Sequence, residues 1–433
     1  MKRFDGDDSG LLEKLSRELG SASRDPEVEK VVSDVIELIG KDGDSGLLDL
    51  TERFDGVRLK PDCLRVAEAD LVKSQDGLPE ADRRAIEEAI DNIRAFHEQG
   101  HPRDWTAENS HGGVVGERHY PINRVGLYVP GGSVPLVSTV LMTATLAKVA
   151  GVPEIAVATP PGPEGTIDSS LLAALAMAGI DEVYRIGGAQ AVAAFALGTK
   201  TVPQVDKIFG PGNAYVNEAK RQVFGLVGVD LLPGPSEVMV LCDGTARPPH
   251  VAAALLAQAE HGSGKEKVFL VSLDSAVAND SLEEMKAQAE TLAHKESILR
   301  VLDQGLFVVD ASTEEQAIAV ANFVAPEHLE LQVEDSRLDR LTGAISTAGA
   351  ILQGHDTPTV LGDFAAGPSH VLPTGRAARF SSGLRLSDFY RRSSILRYDV
   401  TALAKAEQVV ACFASMESLD AHGQSLSVRL DKS

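Results

Sequence analysis

Residues 125–132 read Val-Gly-Leu-Tyr-Val-Pro-Gly-Gly, a short apolar strand that runs directly into a glycine turn. The same order of strand, turn and Ala/Leu-rich helical stretch repeats as far as residue 243. Strands that alternate with helices in this way form a parallel sheet with helices on both faces. The strands of this unit are predicted at 125–129, 154–158, 182–186, 207–209 and 237–241.

A second, looser set of strand signals follows, again with helical stretches between the strands. The fold class is therefore predicted to be α/β, with two similar doubly wound, incomplete Rossmann-like parallel-sheet domains. Small helical extensions are expected at the N-terminus and the C-terminus. The strands of the second set are predicted near 268–271, 306–309, 329–332 and 350–352.

The domain boundaries follow from these patterns. Residues 26–123 and 236–382 are expected to form a first, discontinuous α/β domain that carries the metal and catalytic residues. Residues 124–235 are expected to form a second, dinucleotide-binding domain. Residues 1–25 are predicted to be an arm, and residues 383–433 a helical extension of the kind that docks on a second subunit. Helical patterns in that extension cover 386–396, 401–416 and 419–430.

The bulk composition predicts a soluble protein. At 433 residues the chain is longer than a typical domain with a single hydrophobic core. No apolar run approaches the ~20 residues of a membrane helix. The net charge of -22, from 41 basic and 63 acidic residues, repels nucleic acid and anionic membranes. The first residues lack the apolar stretch of a secretory signal, and the three cysteines show no CxxC spacing, so a cytoplasmic location is expected.

Three strands of the first unit end in glycine turns that open helices, at 130–132, 187–188 and 210–212. Open α/β sheets bind ligands at the carboxyl ends of their strands, and free N–H groups at helix starts favour pyrophosphate. A dinucleotide cleft is one interpretation. Turns that only reverse the chain are the other, because the GxGxxG fingerprint is absent. Residues 261–265 fail as a P-loop, so phosphoryl transfer gets little support.

Metal-capable residues lie in short segments of the C-terminal half. Gln258 and His261 are three apart at the end of a good helix, so both can reach one metal ion from one face. A histidine placed there only by the helix dipole is the alternative. Asp363 and His370 lie in a glycine-rich loop segment, a composition that is costly unless the loop shapes a site.

Glu327 and His328 are adjacent, at a predicted junction between a loop and a strand. A carboxylate beside an imidazole suits general acid/base catalysis near neutral pH, although an exposed turn pair is the commoner case.

Glu417 and His422 flank the start of the last predicted helix, where Asp420 can equally be a simple N-cap. Taken together, Gln258, His261, Asp363 and His422 offer N and O ligands that zinc accepts, with no thiolate to close the site.

These segments occur in the order found in histidinol dehydrogenases, and the chain closely resembles that family over nearly its whole length. The motifs that carry the resemblance are Arg-Val-Gly-Leu-Tyr-Val-Pro-Gly-Gly from Arg124, Ile-Gly-Gly-Ala-Gln-Ala from Ile186, Lys-Ile-Phe-Gly-Pro-Gly-Asn from Lys207, Gly-Pro-Ser-Glu-Val from Gly234, Gln-Ala-Glu-His-Gly from Gln258, Pro-Glu-His-Leu from Pro326 and His-Val-Leu-Pro-Thr from His370.

The resemblance implies a four-electron oxidation of L-histidinol to L-histidine, with one Zn²⁺ per subunit and two NAD⁺ consumed. Zinc would be held by Gln258, His261, Asp363 and His422 and would bind the amine and imidazole nitrogens of the substrate. Glu327 would activate water and His328 would be the general base. The resemblance also implies a domain-swapped homodimer in which the C-terminal extension completes the partner's site.

Further site residues come from the same resemblance. Tyr128, Gln190 and Asn213 match NAD-contacting positions. The positions that match substrate contacts are Ser236, Gln258, His261, His328, Asp363, His370, Glu417 and His422.

The chain departs from the family pattern at three positions. Ser369 stands where many relatives have Asn, and Ala325 and Ser418 stand where Gly is frequent. Two alternatives remain open: a related zinc and NAD dehydrogenase acting on another small primary alcohol such as a sulfonated diol, and a non-catalytic zinc- or nucleotide-binding protein. Glu417 would repel a sulfonate, and a binding protein has no need of paired Glu327 and His328.

Overall fold

The computed structural model describes residues 1–20, 25–131, 135–261 and 264–430. Part of the predicted arm (21–24), Gly132 of the first glycine turn, and Gly262 and Ser263 after His261 lie outside the described residues. The strands are β1 (Lys2–Asp5), β2 (Trp105–Glu108), β3 (Val114–Pro121), β4 (Arg124–Tyr128), β5 (Glu154–Thr159), β6 (Glu182–Arg185), β7 (Lys207–Phe209), β8 (Gly228–Val229), β9 (Glu237–Cys242), β10 (Lys267–Ser272), β11 (Leu306–Asp310), β12 (His328–Gln332), β13 (Ala350–Gln353) and β14 (Tyr390–Arg397).

Helices separate most of these strands, as the sequence pattern predicts. The helices are α1 (Leu11–Leu19), α2 (Pro26–Asp42), α3 (Asp44–Asp55), α4 (Glu68–Asp76), α5 (Glu80–Glu98), α6 (Val137–Val149), α7 (Ser169–Met177), α8 (Gly188–Leu197), α9 (Ala214–Val223), α10 (Pro248–Ala259), α11 (Ser275–Ala289), α12 (Lys295–Gly305), α13 (Glu314–Val324), α14 (Asp335–Ala344), α15 (Thr359–Phe364), α16 (Val400–Met416) and α17 (Asp420–Leu430).

Two parallel sheets organise the chain, and they share one strand order. The five-stranded sheet runs β6-β5-β4-β7-β8 and the six-stranded sheet runs β1-β11-β10-β9-β12-β13. Counted along each unit, the order is 3-2-1-4-5 in both sheets, which is the doubly wound Rossmann order with its last strand missing. The predicted α/β fold class is confirmed. Each predicted strand overlaps an observed strand, and its ends lie within two residues of the observed ends.

The N-terminus does not form a separate arm. Residues Lys2–Asp5 are a parallel strand at the edge of the six-stranded sheet, paired with β11. The guanidinium of Arg3 donates to both carboxylate oxygens of Asp310 at 2.6 and 2.7 Å. The strand was missed because four residues with only one apolar side chain give no strand pattern of their own.

Helices α2, α4 and α5 of segment 26–123 pack on helices of the five-stranded sheet, whereas the sequence analysis grouped this segment with residues 236–382. Helix α2 contacts α8 and α9, α4 contacts α7, and α5 contacts α6. Val32 and Ile39 share a core with Tyr184, while Ile90 shares one with Val125. The apolar spacing of these helices predicts a buried face, but it does not indicate which of the two sheets covers that face.

A third sheet was also missed, an antiparallel one with the order β14-β3-β2. It includes Tyr390–Arg397, whereas the sequence pattern predicted a helix over 386–396. A short 3-10 helix, Leu386–Phe389, precedes this strand. Because β14 is mostly polar and exposed, it lacks the alternation that indicates a strand. The indole Nε1 of Trp105 donates to Glu117 at 3.0 Å, which ties β2 to β3.

The C-terminal helices α16 and α17 pack chiefly on each other. The helices and the turn between them leave large apolar side chains exposed, and these are Val400, Val409, Phe413, Met416, Leu419 and Val428. In the described part of the chain no helix is long and apolar enough to cross a membrane.

A substitution at Gly126, in the centre of β4, tests the packing of the five-stranded sheet. A Cβ at this position would lie 2.7 Å from a ring carbon of Phe195. We expect Gly126→Ala to lower the free energy of unfolding by about 1–3 kcal/mol through overpacking. Urea unfolding measures the change. Gly343 in α14 has open space around it, so Gly343→Ala is the control and is expected to stabilise by up to about 1 kcal/mol. Equal unfolding curves for Gly126→Ala and wild type would contradict the packing described.

Candidate active site

The predicted catalytic residues lie at the amino edge of the six-stranded sheet. Strand β12 begins at His328 and pairs in register with β9, with His328 opposite Val238. The carboxylate of Glu327 accepts a hydrogen bond from the backbone N–H of Glu237 at 2.8 Å. The loop-to-strand junction predicted from the sequence is therefore present, and backbone pairing fixes the position of Glu327.

Burial controls the electrostatics of this pair. Glu327 and His328 are each 6% exposed. Burial raises the pKa of Glu327 to about 7, the nearby carboxylate of Glu237 adds to the rise, and His328 opposes it. Burial opposes the imidazolium of His328, but its contact with Asp363 and the charge of Glu327 raise the pKa of His328. Both groups are thus able to exchange protons near neutral pH.

Asp363 lies at the end of the short helix α15 and faces several imidazoles. Its Oδ1 is 3.5 Å from Nε2 of His328. Burial opposes its ionisation, but His328, His370 and His261 together keep the pKa of Asp363 below its usual value. The backbone carbonyl of Asp363 is 3.1 Å from Nδ1 of His370. Asp363 was predicted to lie in an irregular loop segment, but the structure places it in the helix α15. The loop that follows this helix returns His370 to the neighbourhood of Asp363 and His328.

Gln258 and His261 lie at the end of α10, where their side chains meet as predicted. Nε2 of Gln258 is 3.3 Å from Nδ1 of His261. Gln258 is buried and His261 is exposed, and the charge of His261 acts on Asp363. Ser236, just before β9, lies at the same edge of the sheet. Gln258 and His261 therefore meet, and Asp363 lies near enough to His261 for their charges to interact.

The fourth predicted ligand, His422, is exposed on α17, and Glu417 is exposed at the end of α16. These helices pack chiefly on each other, so this chain does not bring the two residues to its own site. Within residues 1–20, 25–131, 135–261 and 264–430 no group of three or more His, Cys, Asp and Glu is arranged to hold a metal ion.

A separate cleft of about 830 Å³ opens at the carboxyl edge of the five-stranded sheet. Tyr128, Gln190 and Asn213, the predicted NAD contacts, all line it. The hydroxyl oxygen of Tyr128 accepts from the N–H of Gly188 at 3.0 Å. The side chain of Asn213 caps α9 by accepting from the N–H of Tyr215 at 3.0 Å. Gly131 and Gly188, from two of the three glycine turns, also line this cleft, which has dinucleotide size and lies at the edge where such sheets bind ligands.

Asp55 is a cleft residue that the sequence reasoning missed. It ends α3, and its carboxylate accepts from Nε2 of Gln190 at 3.1 Å. Burial raises the pKa of Asp55 to about 6, against the effect of that hydrogen bond. No local pattern marks Asp55, because the segment that carries it meets the cleft only through long-range packing.

Helix α6 connects the two regions. It begins just after Pro135, which lines the cleft. The hydroxyl of Thr139 is 3.4 Å from Nε2 of His370. The carbonyl of Met142 accepts from the hydroxyl of Ser369 at 3.3 Å. The hydroxyl of Ser369, one of the departures from the family pattern, is therefore engaged with backbone.

Comparison with known proteins agrees with this arrangement. The family model described as histidinol dehydrogenase matches residues 19–430. A histidinol dehydrogenase of Ruegeria pomeroyi is 44% identical over 419 residues, which is 96% of this chain and 95% of the relative. One of Geobacillus kaustophilus is 41% identical over 406 residues, covering 94% and 95%. The crystal structure of histidinol dehydrogenase from Elizabethkingia anophelis has a TM-score of 0.94 at 33% identity, covering 99% of this chain and 98% of that one.

The chain belongs to the histidinol dehydrogenase family. Members of this family are NAD-dependent oxidoreductases, so this protein belongs to that class of enzyme.

In this member of the histidinol dehydrogenase family, a buried ion pair fixes the turn before Asn213, a residue that lines the cleft. Nζ of Lys220 donates to the carbonyl of Gly210 at 2.8 Å, and the N–H of Gly210 donates to Asp230 at 2.7 Å. Lys220 and Asp230 also pair directly. Gly210 has φ +115, and a Cβ there would lie 2.0 Å from the carbonyl oxygen of Tyr128. Only glycine fits this turn, which leads to Asn213.

The raised pKa of Asp55 predicts a pH-dependent effect on stability. Its pKa is about 6 in the folded protein and roughly 3.9 when unfolded. The cost of its charge in the cleft is therefore absent near pH 4, grows between pH 4 and 6, and is complete above pH 6. Because the amide oxygen still accepts from Gln190, we expect Asp55→Asn to raise the thermal midpoint at pH 8 and to leave it unchanged at pH 4.

Asp168 provides the control, since it lines the same cleft. Its hydrogen bonds to Ser170, opposed by a smaller effect of burial, lower the pKa of Asp168. Asp168→Asn is accordingly expected to lower the midpoint at pH 8. If Asp55→Asn has the same midpoint as wild type at both pH values, the charge of Asp55 carries no cost in the fold.

Proposed function

We propose that the protein oxidises L-histidinol to L-histidine in two NAD-linked steps through bound L-histidinal. The name of its relatives, histidinol dehydrogenase, supports L-histidinol as the substrate of the first step. The buried pair Glu327 and His328, adjacent to Asp363, carries the proposal. Proton removal and water activation need a buried acid/base pair, and here burial raises the pKa of Glu327 to about 7 while Asp363 and Glu327 raise the pKa of His328. The cytoplasmic location expected from the sequence remains a prediction.

Zinc is proposed to be held by Gln258, His261, Asp363 and His422. The donor types fit, because zinc takes imidazole and carboxylate ligands and an open site lacks thiolates. Asp363 fits further, since the surrounding imidazoles keep it ionised. When bound, zinc would act as a Lewis acid that holds the amine and imidazole nitrogens of the substrate.

His328 is proposed as the base that takes the hydroxyl proton of the alcohol, and later of the hydrated aldehyde. Glu327 is proposed to activate the water that adds to the aldehyde. Its pKa of about 7 favours this role, because a carboxylate of that basicity accepts a proton from water more readily than an ordinary one. The contact between Asp363 and His328 orients the imidazole.

NAD is proposed to bind in the cleft at the carboxyl edge of the five-stranded sheet, with contacts from Tyr128, Gln190 and Asn213. When bound, it would be the hydride acceptor for both oxidations. The cleft volume, its place at the carboxyl edge and the helix starts at Gly188 and Ala214 support this assignment.

We propose further that two chains form a homodimer in which each tail, α16 and α17, docks on the partner. The exposed apolar side chains of the tail support this, because apolar surface of this kind is normally covered. Docking would bring His422 to the zinc site of the partner. It would also bring Glu417 to the imidazole N–H of the substrate, beside Ser236 and His370.

The stoichiometry of NADH tests the proposed reaction. With zinc-loaded protein and limiting L-histidinol, we expect two NADH per histidinol, loss of activity with a chelator, and recovery with zinc. Two NADH are required because each hydride reduces one NAD. One NADH per histidinol would contradict the second oxidation, and no turnover by zinc-loaded protein would contradict the substrate.

Glu327→Gln separates the two steps. The variant is expected to bind zinc and to perform the first oxidation, while the oxidation of added L-histidinal slows by about 100-fold or more, the usual loss for a general base. Stopped-flow absorbance of NADH with each substrate measures both steps. Equal slowing of the two oxidations would show that Glu327 does not act on water alone.

Mixing two inactive variants tests the tail exchange. His261→Asn alters the body of the site and His422→Asn alters the tail, and each alone is expected to lose zinc and activity. If tails dock on the partner, a mixed dimer holds one site with both changes and one intact site. After dissociation and reassociation, an equal mixture should recover about a quarter of the wild-type activity, because half of the dimers are mixed. No recovery in a mixture shown to contain mixed dimers would mean that each tail serves its own chain.

A further inference from the structure

We infer that Glu330 is a positioning residue for the zinc site, acting through the short helix α15 that carries Asp363. The inference rests on the proposed function, because it concerns activity only if Asp363 binds zinc and contacts the base His328 as proposed.

Glu330 binds the first residue of α15. Its side chain is 1% exposed, in the middle of β12. One carboxylate oxygen accepts from both the backbone N–H of Thr359, at 2.7 Å, and its hydroxyl, at 2.8 Å. The other oxygen accepts from Nε2 of Gln332 at 2.9 Å. Each hydrogen bond involves an ionisable acceptor in a dry environment, which makes it stronger than an exposed one.

Helix α15 depends on this contact because it has little else to hold its start. It has six residues, and its N-cap is Pro358, which offers no side-chain cap. Helices this short are not stable alone, and the free N–H groups of the first turn need acceptors. Its apolar side chains bury little, since Val360, Leu361 and Phe364 are 37%, 42% and 59% exposed. A carboxylate at the positive end of the helix supplies what the local sequence lacks.

The contact between Glu330 and Thr359 also fixes how helix α15 is aligned along strand β12. His328 and Glu330 are two apart on β12, so they share one face at a separation of roughly 6.6 Å along the strand. Thr359 and Asp363 are four apart on α15, one above the other at about 6 Å along the helix. The contact between Glu330 and Thr359 therefore aligns Asp363 with His328, whose atoms are 3.5 Å apart.

A purely structural role for Glu330 is the competing explanation, and the chain contains a matched example of one. Asp243 is also buried, at 4% exposed. Its carboxylate accepts from the N–H of Glu334, just before α14, at 3.1 Å. This contact lies at the carboxyl edge of the same sheet, because Asp243 directly follows β9. Asp243 thus anchors a helix start away from the site.

Zinc affinity of the full-length variants, measured by competition with a chromogenic chelator, tests the inference without relying on activity. We expect Glu330→Ala to weaken zinc binding by about 10- to 100-fold, the usual effect of losing a residue that orients a ligand. Thr359→Val removes only the hydroxyl and should weaken binding by a few-fold at least. Asp243→Asn should lower the midpoint of thermal unfolding and leave zinc affinity as in wild type.

Glu330→Gln is the conservative variant that should restore the zinc binding lost in Glu330→Ala. Its amide oxygen still accepts from Thr359, and its amide N–H can donate to Oε1 of Gln332, a buried atom without a hydrogen-bond partner in the described chain. We expect Glu330→Gln to bind zinc within about three-fold of wild type, because the orienting hydrogen bonds survive. Thermal unfolding of each variant separates lost affinity from lost folding.

The outcomes distinguish this inference from the proposed function. Wild-type zinc affinity in folded Glu330→Ala would overturn the inference alone, and so would zinc loss in Asp243→Asn equal to that in Glu330→Ala. If Glu330→Ala does not fold, unchanged affinity in Thr359→Val, or no rescue by Glu330→Gln, would overturn it. A wild-type protein that binds no zinc would overturn the proposed function and the inference together.

Discussion

The site depends on the pairing of β12 with β9. This pairing places Glu327 beside the start of β9, where the N–H of Glu237 binds its carboxylate. Two carboxyl groups are thereby enclosed at one dry edge, and burial raises the pKa of each to about 7. Such a pair is costly for the fold, and it becomes useful only where a base is needed near neutral pH. Backbone register thus brings the two carboxyl groups together, and their burial raises the basicity of the site.

The cleft and the acid/base pair lie at opposite edges of their respective sheets. The cleft occupies the carboxyl edge of the five-stranded sheet, where doubly wound folds usually bind nucleotides. The acid/base pair occupies the amino edge of the six-stranded sheet, where the fold alone predicts no site. Helix α6 joins them, since it starts at the cleft and contacts His370 through Thr139. One rigid element can therefore hold the cleft and the acid/base pair in fixed relation.

The sequence predicted what local pattern encodes and missed what long-range packing decides. The buried strands were visible because they are runs of β-branched residues ending in glycine turns. The polar strand β14 and the edge strand β1 gave no such signal. Adjacent or helix-spaced residues such as Glu327 and His328 could be linked from spacing alone. Asp55 and Glu330 could not, because each acquires its partner from a distant segment.

Backbone conformation adds an independent indication of where the site lies. Among the described residues, the non-glycine residues with positive φ are Ala325, Arg376 and Ser418, at φ 50, 68 and 55. Ala325 lies two residues before Glu327, Arg376 follows Gly375, whose N–H binds Glu237, and Ser418 follows Glu417. A side chain in this region costs about 1–3 kcal/mol and persists where the surroundings require it. Ala325 and Ser418 therefore hold segments that carry a proposed functional carboxylate, and Arg376 lies beside a residue that contacts Glu237, the buried neighbour of Glu327.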